Sequence, residues 1–568
     1  MTLETMKVIG TTPLRRDGID KVTGAARFAD DIHLPRMLHG KTLRSPYPHA
    51  RIVSIDTSRA LALPGVHKVV SGIDFPVLPP TIVPHGAIST VDMKDYADNC
   101  MAKGRVLYDG HVLAAVAADS PHIAEEAVRL IDVTYEQLEY VMDVQEAMAE
   151  GAPVIHEHFT PGAFIKQSKK TLPNAGQVQV ALGDVDEGFD SADIIIEREF
   201  KTKNVHQGYI EPHSVTVTWG KNDQINVWTS TQGHFAIREH IAIILKHPLH
   251  KIKVTPMEIG GGFGGKDVAY LEPVAAVLSR ETGRPVKMAM SRAEMLRGTG
   301  PSPATYIKVK LGAKRDGTLI AADLHLAYEA GAFPGGPVAC AMLASTSRYR
   351  IPHVIVNGFD VLLNKPKMKQ YRAPGGVPIN FAVESCMDIL AAEIEMSPLA
   401  FRLKNVMVEG DRMITDMPCQ RIGGIEILET IQEHPHYTSN LCKPNQGRGL
   451  GFAFWFGASC HSSAIMTLNE DGTVQVATGN PDLSGTRMTL AMQAAEALGI
   501  EIQNVSATVA DTDSIPFSFM SVGSRTTYAT GVAVYNAAKK LLKAMAEKAA
   551  LIWGVETERV IVESGIFY

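Results

Sequence analysis

Polar and apolar positions along the 568-residue chain change rhythm several times, and each rhythm predicts an element. "HVLAAVAAD" (111–119) is an apolar run of strand length, the pattern of a strand covered on both faces. "SPHIAEEAVRLI" (120–131) has helical spacing, and "DVTYEQL" (132–138) alternates like a strand. "HSVTVTWGKNDQINVWTS" (213–230) reads as a hairpin, with Val215, Val217 and Trp219 alternating before the "KND" turn and Ile225 and Val227 after it. "HFAIREHIAIILKH" (234–247) predicts a helix capped by Ser230 or Thr231, and "HKIKVTPMEI" (250–259) a strand. The sequence "GFAFWFGASCH" (451–461) alternates so that Phe452, Phe454 and Phe456 would share one strand face and Trp455 the other.

These elements group into an α+β fold. Residues 1–150 read as one unit and 151–189 as an irregular linker rich in turn residues. Two larger units follow, at 190–435 and 436–568. A weak internal echo joins them. "WTSTQGHFAIREHIAIILKHPLHKIKV" (228–254) and "VATGNPDLSGTRMTLAMQAAEALGIEIQNVSATV" (476–509) both run strand, Thr/Gly loop, helix, turn, strand. That order suits two related halves around one site, and it also suits the common strand–helix–strand unit.

Composition narrows the function classes. Hydrophobic residues make up 45%, enough for ordinary cores. The net charge of -6, with no long basic run, argues against a nucleic-acid surface. Six scattered cysteines without CxxC spacing give no zinc or iron–sulfur cradle and suit a reducing compartment. No apolar run is long enough to span a bilayer and no secretory leader is visible, so a cytoplasmic protein is expected.

The chemistry concentrates at "EIGGGFGGKD" (258–267), where five glycines fill six positions around Phe263. A P-loop would need a hydroxyl after Lys266, but Asp267 stands there and would repel phosphate. A dinucleotide fold fits Gly260, Gly262 and Gly265, with the helix "PVAAVLSRETG" after them and Arg292 available for a 2′-phosphate. On that alternative the protein is an NAD(P)-dependent dehydrogenase. The remaining reading is that bare backbone amides line a different polar cofactor.

Further stretches favour the last reading. "LRRDGIDKVTGAARFADDIHLPRMLHGKTLRSPYPHARI" (14–52), "YIEPHSVTV" (209–217), "STQGHFAIREHIA" (230–242), "GGGFGGKD" (260–267), "YRAPGGVPINFAVESCMDILAAEIEMSPLAFRLKN" (371–405) and "GSRTTYATGVAVYNAA" (523–538) occur in this order. Together they closely resemble the molybdenum-binding large subunit of the xanthine dehydrogenase/aldehyde oxidase family of molybdenum hydroxylases. The resemblance implies an N-terminal α/β-hammerhead domain followed by two molybdopterin-binding α+β domains, the second incomplete. It implies molybdopterin or molybdopterin cytosine dinucleotide carrying molybdenum on its dithiolene, with no metal ligand from the protein. It also implies a [2Fe–2S] subunit and an FAD subunit as partners, in a dimer of heteromers.

The resemblance assigns residues as well. Gln232 matches a glutamine that hydrogen-bonds an oxygen ligand of the metal. Gly262, Phe263 and Gly264 match the loop over that ligand, and Arg372 an arginine whose main chain contacts the pterin. Ser524 and Thr526 match small polar residues that hold the cofactor. Ser484, Gly485 and Thr486 replace the commoner Gly-Gln-Gly, with Asp482 and Arg487 free to pair locally. Asp267 stands where purine oxidisers carry a glutamate, and Cys340 where they carry an arginine. With Phe454 these shape a substrate pocket in which a purine fits poorly. The family's glutamate base, in a Gly-x-Gly-Glu context, is absent up to Tyr568. A second chain that completes the large subunit and supplies this base is the expectation, with a truncated product or a non-catalytic scaffold subunit as alternatives.

Overall fold

The computed structural model describes residues 6–84, 90–157, 172–563 and 565–568. Its largest sheet has seven strands, in the order Ile252–Pro256, Ile225–Thr229, Ser214–Trp219, Val286–Ala289, Leu38–Arg44, Val112–Ala118 and Val66–Ser71. The hairpin forms as its pattern predicts, with Val217 opposite Val227 and Trp219 opposite Ile225. The sheet also joins segments expected in separate units, because Leu38–Gly40 runs parallel to Val286–Met288. One core follows from that pairing: Ala115 and Ala117 from the first unit pack with Val215, Ile241 and Val274 from the next. Residues 1–150 are therefore not closed off by themselves. Helix Glu272–Thr282 is buried continuously from Glu272 to Ser279, which matches its unbroken apolar run from Pro273 to Leu278.

A five-stranded sheet follows, ordered Ile194–Thr202, Thr305–Ala313, Leu319–Gly331, His353–Leu362 and Ala175–Leu182. The last of these strands corrects the expected linker. Residues 175–182 pair antiparallel with His353–Leu362, and Val185–Ser191 is a helix capped by Asp184. Gly176, Val178 and Val180 sit among turn residues and disguise the alternation, while long-range pairing supplies what the local pattern lacks. Residues 158–171 of the same stretch lie outside the described residues.

The third unit is a three-stranded sheet, Ala464–Leu468, Val474–Thr478 and Val505–Val509, with helices Thr486–Leu498 and Gly531–Trp553 packed on it. The sequence echo is real in structure. Strands Ile225–Thr229 and Ile252–Pro256 are parallel and flank helix His234–Ile244, and Val474–Thr478 and Val505–Val509 are parallel around Thr486–Leu498. Thr512 joins the two units, its backbone N–H donating to the Val254 carbonyl and its hydroxyl accepting from the Val254 N–H. The N-terminal strap, residues 7–23, crosses to the third unit. The N–H groups of Lys7, Val8 and Ile9 converge on the Glu496 carboxylate, and Arg16 donates to the carbonyls of Val505 and Ile502.

Candidate cofactor site

The loops at the helix-facing ends of the two echoing units meet around a cavity of about 680 Å³. It collects Gln232, Phe263, Gly264, Arg372, Thr486, Ser524 and Thr526, so most residues singled out from the sequence come together. Gly262 and Gly485 lie immediately beside it. Asp267, Cys340 and Phe454 do not line it.

Gln232 organises one wall. Its Oε1 accepts from the N–H groups of Gly264 (2.8 Å) and Lys266 (3.2 Å), and its Nε2 donates to the Ser521 carbonyl at 3.0 Å. Its backbone N–H donates to the Lys266 carbonyl, and its carbonyl accepts from the Ser521 N–H. One side chain thus ties the glycine loop to a loop of the third unit. A primary amide carries two N–H donors, and one of them stays available to the cavity. The helix after Gln232 begins at His234 with Gly233 as its N-cap, not Ser230 or Thr231. Thr231 instead accepts from the Gly233 N–H, and Ser230 donates to Glu211.

The glycines answer to close approaches. A Cβ on Gly262 would sit 2.5 Å from Gln232 Oε1, and Gly264, at φ 107°, would place one 2.5 Å from the Gln370 carbonyl oxygen. Glu211 anchors the loop's start: its Oε2 accepts from the Gly260 N–H at 2.7 Å and from Lys266 Nζ at 2.8 Å. Burial pulls the Lys266 ammonium below its ordinary value, against the opposing pull of Glu211. No helix opens directly after the glycines; the next begins at Glu272. Arg292 is committed to the carbonyls of Tyr209 and Ile210. Both facts remove the geometry a dinucleotide fold requires.

Backbone strain gathers here. Phe263 (φ 54°), Arg372 (22°), Ala373 (62°), Ser484 (64°) and Ser524 (57°) are all non-glycine residues in the left-handed region, and all line this one cavity. Each costs on the order of 1–3 kcal/mol and persists only where the surroundings hold it. The Arg372 N–H donates to the Phe263 carbonyl at 2.9 Å, so two of the strained turns support each other.

Arg525, which sequence reasoning left unassigned, holds the opposite wall. It is 1% exposed and donates to the carbonyls of Ser459, Phe519, Met520, Cys460 and His461. Carbonyl dipoles, not a carboxylate, solvate this cation, and burial lowers its pKa. It fixes the bend from which Ser524, Thr526 and Thr527 reach the cavity. A five-residue π-turn, Thr526–Thr530, opens the long helix there, a distortion frequent at functional sites.

The remaining expectations meet other fates. Asp267 is 1% exposed and ion-paired with Lys369 at 2.8 Å, beneath the glycine loop rather than in the cavity. Cys340 sits in helix Val338–Thr346, where burial pushes its thiol up to about 12, so it stays protonated. Residues 451–463 form no strand, and the predicted alternation fails. Phe452 turns into the core of the five-stranded unit beside Tyr349, its N–H donating to Glu384. Trp455, stacked on Phe456, faces the cavity in place of Phe454.

The cavity suits an anionic cofactor. Helices starting at His234, Gly376 and Thr486, and the π-turn at Thr526, all begin beside it. The dipoles of these elements favour negative charge at their N-terminal ends. Two arginines and no carboxylate are found among its lining residues. Among the described residues no group of three or more His, Cys, Asp or Glu could hold a metal ion.

Comparison with known proteins agrees with this geometry. Residues 167–406 and 431–568 match the molybdopterin cofactor-binding domain, and 23–139 match the aldehyde oxidase and xanthine dehydrogenase a/b hammerhead domain. A probable xanthine dehydrogenase subunit of Bacillus subtilis is 30% identical over 566 residues, covering 96% of this chain and 72% of that protein. The nicotinate dehydrogenase large molybdopterin subunit of Eubacterium barkeri is 31% identical over 432 residues, 75% of this chain and 96% of that one. The crystal structure of quinoline 2-oxidoreductase from Pseudomonas putida 86 superposes with a TM-score of 0.87 at 26% identity, covering 99% of this chain and 74% of that chain. With its hammerhead, its two cofactor-binding domains and the cavity between them, this chain belongs to the xanthine dehydrogenase/aldehyde oxidase family of molybdenum hydroxylases as a molybdenum-binding large subunit.

Proposed function

We propose that this chain forms the cofactor-holding part of a hydroxylase that inserts a water-derived oxygen at an electron-poor carbon of an N-heterocycle, an aldehyde or an aromatic thioester. The observation that carries the reading is the 680 Å³ cavity, ringed by helix N-termini and strained backbone amides with no carboxylate among its lining residues. When bound, the molybdopterin group, with or without a nucleotide, supplies the redox-active metal and accepts the substrate's electron pair.

The protein's own residues bind, orient and exclude. The second amide N–H of Gln232 would help hold the group by donating a hydrogen bond without adding charge. The backbone at Gly262, Phe263 and Gly264 would cover the bound group, and Phe263 would limit the approach of water. Ser524, Thr526 and Thr486 hydroxyls, the Gly485 turn and the Arg372 main chain hold the pterin. Trp455 is placed to meet a flat substrate ring. Asp267, paired with Lys369, acts on the glycine loop from below rather than on substrate.

We further propose that a second polypeptide would pack beside this pocket and bring a glutamate to it as the general base. Two observations support this. The long helix Gly531–Trp553 ends in Leu551, Ile552 and Trp553, all exposed, an apolar end suited to a covering layer. The Eubacterium barkeri large molybdopterin subunit is 96% covered by 432 aligned residues, so a subunit of that name can be a shorter chain than this one. Iron–sulfur and flavin subunits then carry the electrons away, in a cytoplasmic dimer of heteromers. The free cysteines suit that compartment, and no helix among the described residues is long and apolar enough to cross a membrane.

The test is turnover of the native complex in isotopically labelled water, with an artificial electron acceptor and a panel of the three substrate classes. Label in the hydroxylated product supports the proposal. Oxygen drawn from O₂, or a complex assembled with every partner that turns over none of the three classes, contradicts it.

A further inference from the structure

We infer that Arg487 and the N-terminal strap form an ionic latch that sets the position of the Ser484–Thr486 wall and so governs retention of the cofactor. Arg487 Nε meets Asp482 at 2.7 Å, its Nη2 meets Glu258 at 2.6 Å, and Asp17 lies 3.8 Å away. Glu258 immediately precedes Ile259, and Asp482 immediately precedes Leu483; both neighbours line the cavity. One guanidinium therefore bridges the two walls, glycine-loop side to third-unit side.

The strap closes the network. Asp17 accepts from Arg15 at 2.5 Å and Lys21 at 2.7 Å, and Lys21 reaches Glu258 at 3.3 Å. The Arg15 guanidinium lies against Gly485: a Cβ there would be 2.9 Å from Arg15 Cζ. Ser484 and Gly485, at φ 64° and 88°, form the strained corner that exposes the wall to the cavity. Asp482 also accepts from the Thr486 hydroxyl at 3.0 Å, so the latch holds the corner on its inner side as well. Three acids and three bases from three separate segments balance one another. The sequence alone suggested only a local Asp482–Arg487 pair of little consequence. A network spanning three segments constrains more than such a pair.

The latch rests on the cofactor reading above, so its test separates the two. Holocomplexes of wild type, Asp17→Asn, Arg487→Ala and Arg487→Lys are passed through gel filtration at low and high salt, and molybdenum release is timed. Hydrogen exchange of the 483–486 amides is followed in the same proteins with and without cofactor. The latch predicts that Asp17→Asn and Arg487→Ala speed both release and amide exchange by about tenfold, with Arg487→Lys intermediate. It also predicts that high salt speeds release in wild type far more than in Arg487→Ala. Unchanged exchange at 483–486 and unchanged release in both Asp17→Asn and Arg487→Ala overturn the latch alone. A wild-type complex that never holds molybdenum overturns the cofactor reading and the latch's role in retention with it.

Discussion

The two echoing units, residues 225–256 and 474–509, present the same topology to the cavity but are held by different physics. In the first, the strands lie within a seven-stranded sheet and the loop around Gln232 is dry, with Ser230 to Gln232 at most 3% exposed. Its wall is fixed by buried hydrogen bonds to backbone groups and by the pairs Glu211–Lys266 and Asp267–Lys369, whose lysines are buried. In the second, the sheet has three strands with Ile465 and Leu468 exposed, and Ser484 is open to solvent. Its wall is fixed by charges that are partly wet. Hydrogen bonds in a dry site are costly to leave unmade, whereas partly exposed ion pairs are individually weak and screened by salt. The molecule thus sets one rigid wall against one adjustable wall.

The largest expected effect comes from breaking the rigid side. Gln232→Ala strands the N–H groups of Gly264 and Lys266 and the Ser521 carbonyl, and should cost about 3–5 kcal/mol. Chemical denaturation should record that loss, and metal analysis a protein emptied of molybdenum. Next is Gly264→Ala, where φ 107° and a 2.5 Å approach to the Gln370 carbonyl should cost about 2–3 kcal/mol. A stability equal to wild type would mean the loop is as adjustable as the second wall.

The comparison also has a pH signature. His234 starts the first unit's helix and is fully buried, and burial pushes its imidazole down to about 3. Its folded pKa lies below the unfolded value of about 6.5, so the unfolded chain binds the extra proton. Stability should therefore fall as pH drops from that value toward about 3, by at most about 1.4 kcal/mol per unit from this group. His234→Gln should flatten that slope in denaturation curves taken across the window. The smallest effect belongs to the exposed end of helix Gly531–Trp553, which packs on the second unit. Leu551→Asp should change this chain's own stability by no more than about 0.5 kcal/mol. The same substitution should abolish capture of a completing polypeptide in co-expression pull-downs; undiminished capture would mean the face lies outside that interface.

Local pattern carried much of this structure. The hairpin, helix His234–Ile244 and the paired units follow from periodicity, and the glycine loop follows from the density of residues without side chains. What escaped was non-local. Leu38 pairs with Val286 across most of two expected domains, and neither residue's neighbourhood encodes the partner. Strand Ala175–Leu182 was hidden because its alternation is framed by turn residues. Arg525 was illegible because five carbonyls from two distant loops, not a charged partner, satisfy it. Trp455 replaced Phe454 at the cavity because Phe452 is drawn into a different core, which breaks the strand that alternation assumed.

The central claim is that the cavity between the two walls holds a chelated molybdenum. Metal analysis with fluorescence of the released, oxidised pterin tests it directly, on the native complex and on its Gly264→Ala counterpart. The account predicts stoichiometric molybdenum and pterin in wild type, both lost together in the variant while the subunits remain assembled. Molybdenum and pterin absent from the wild-type complex, or fully retained by the variant, would contradict it.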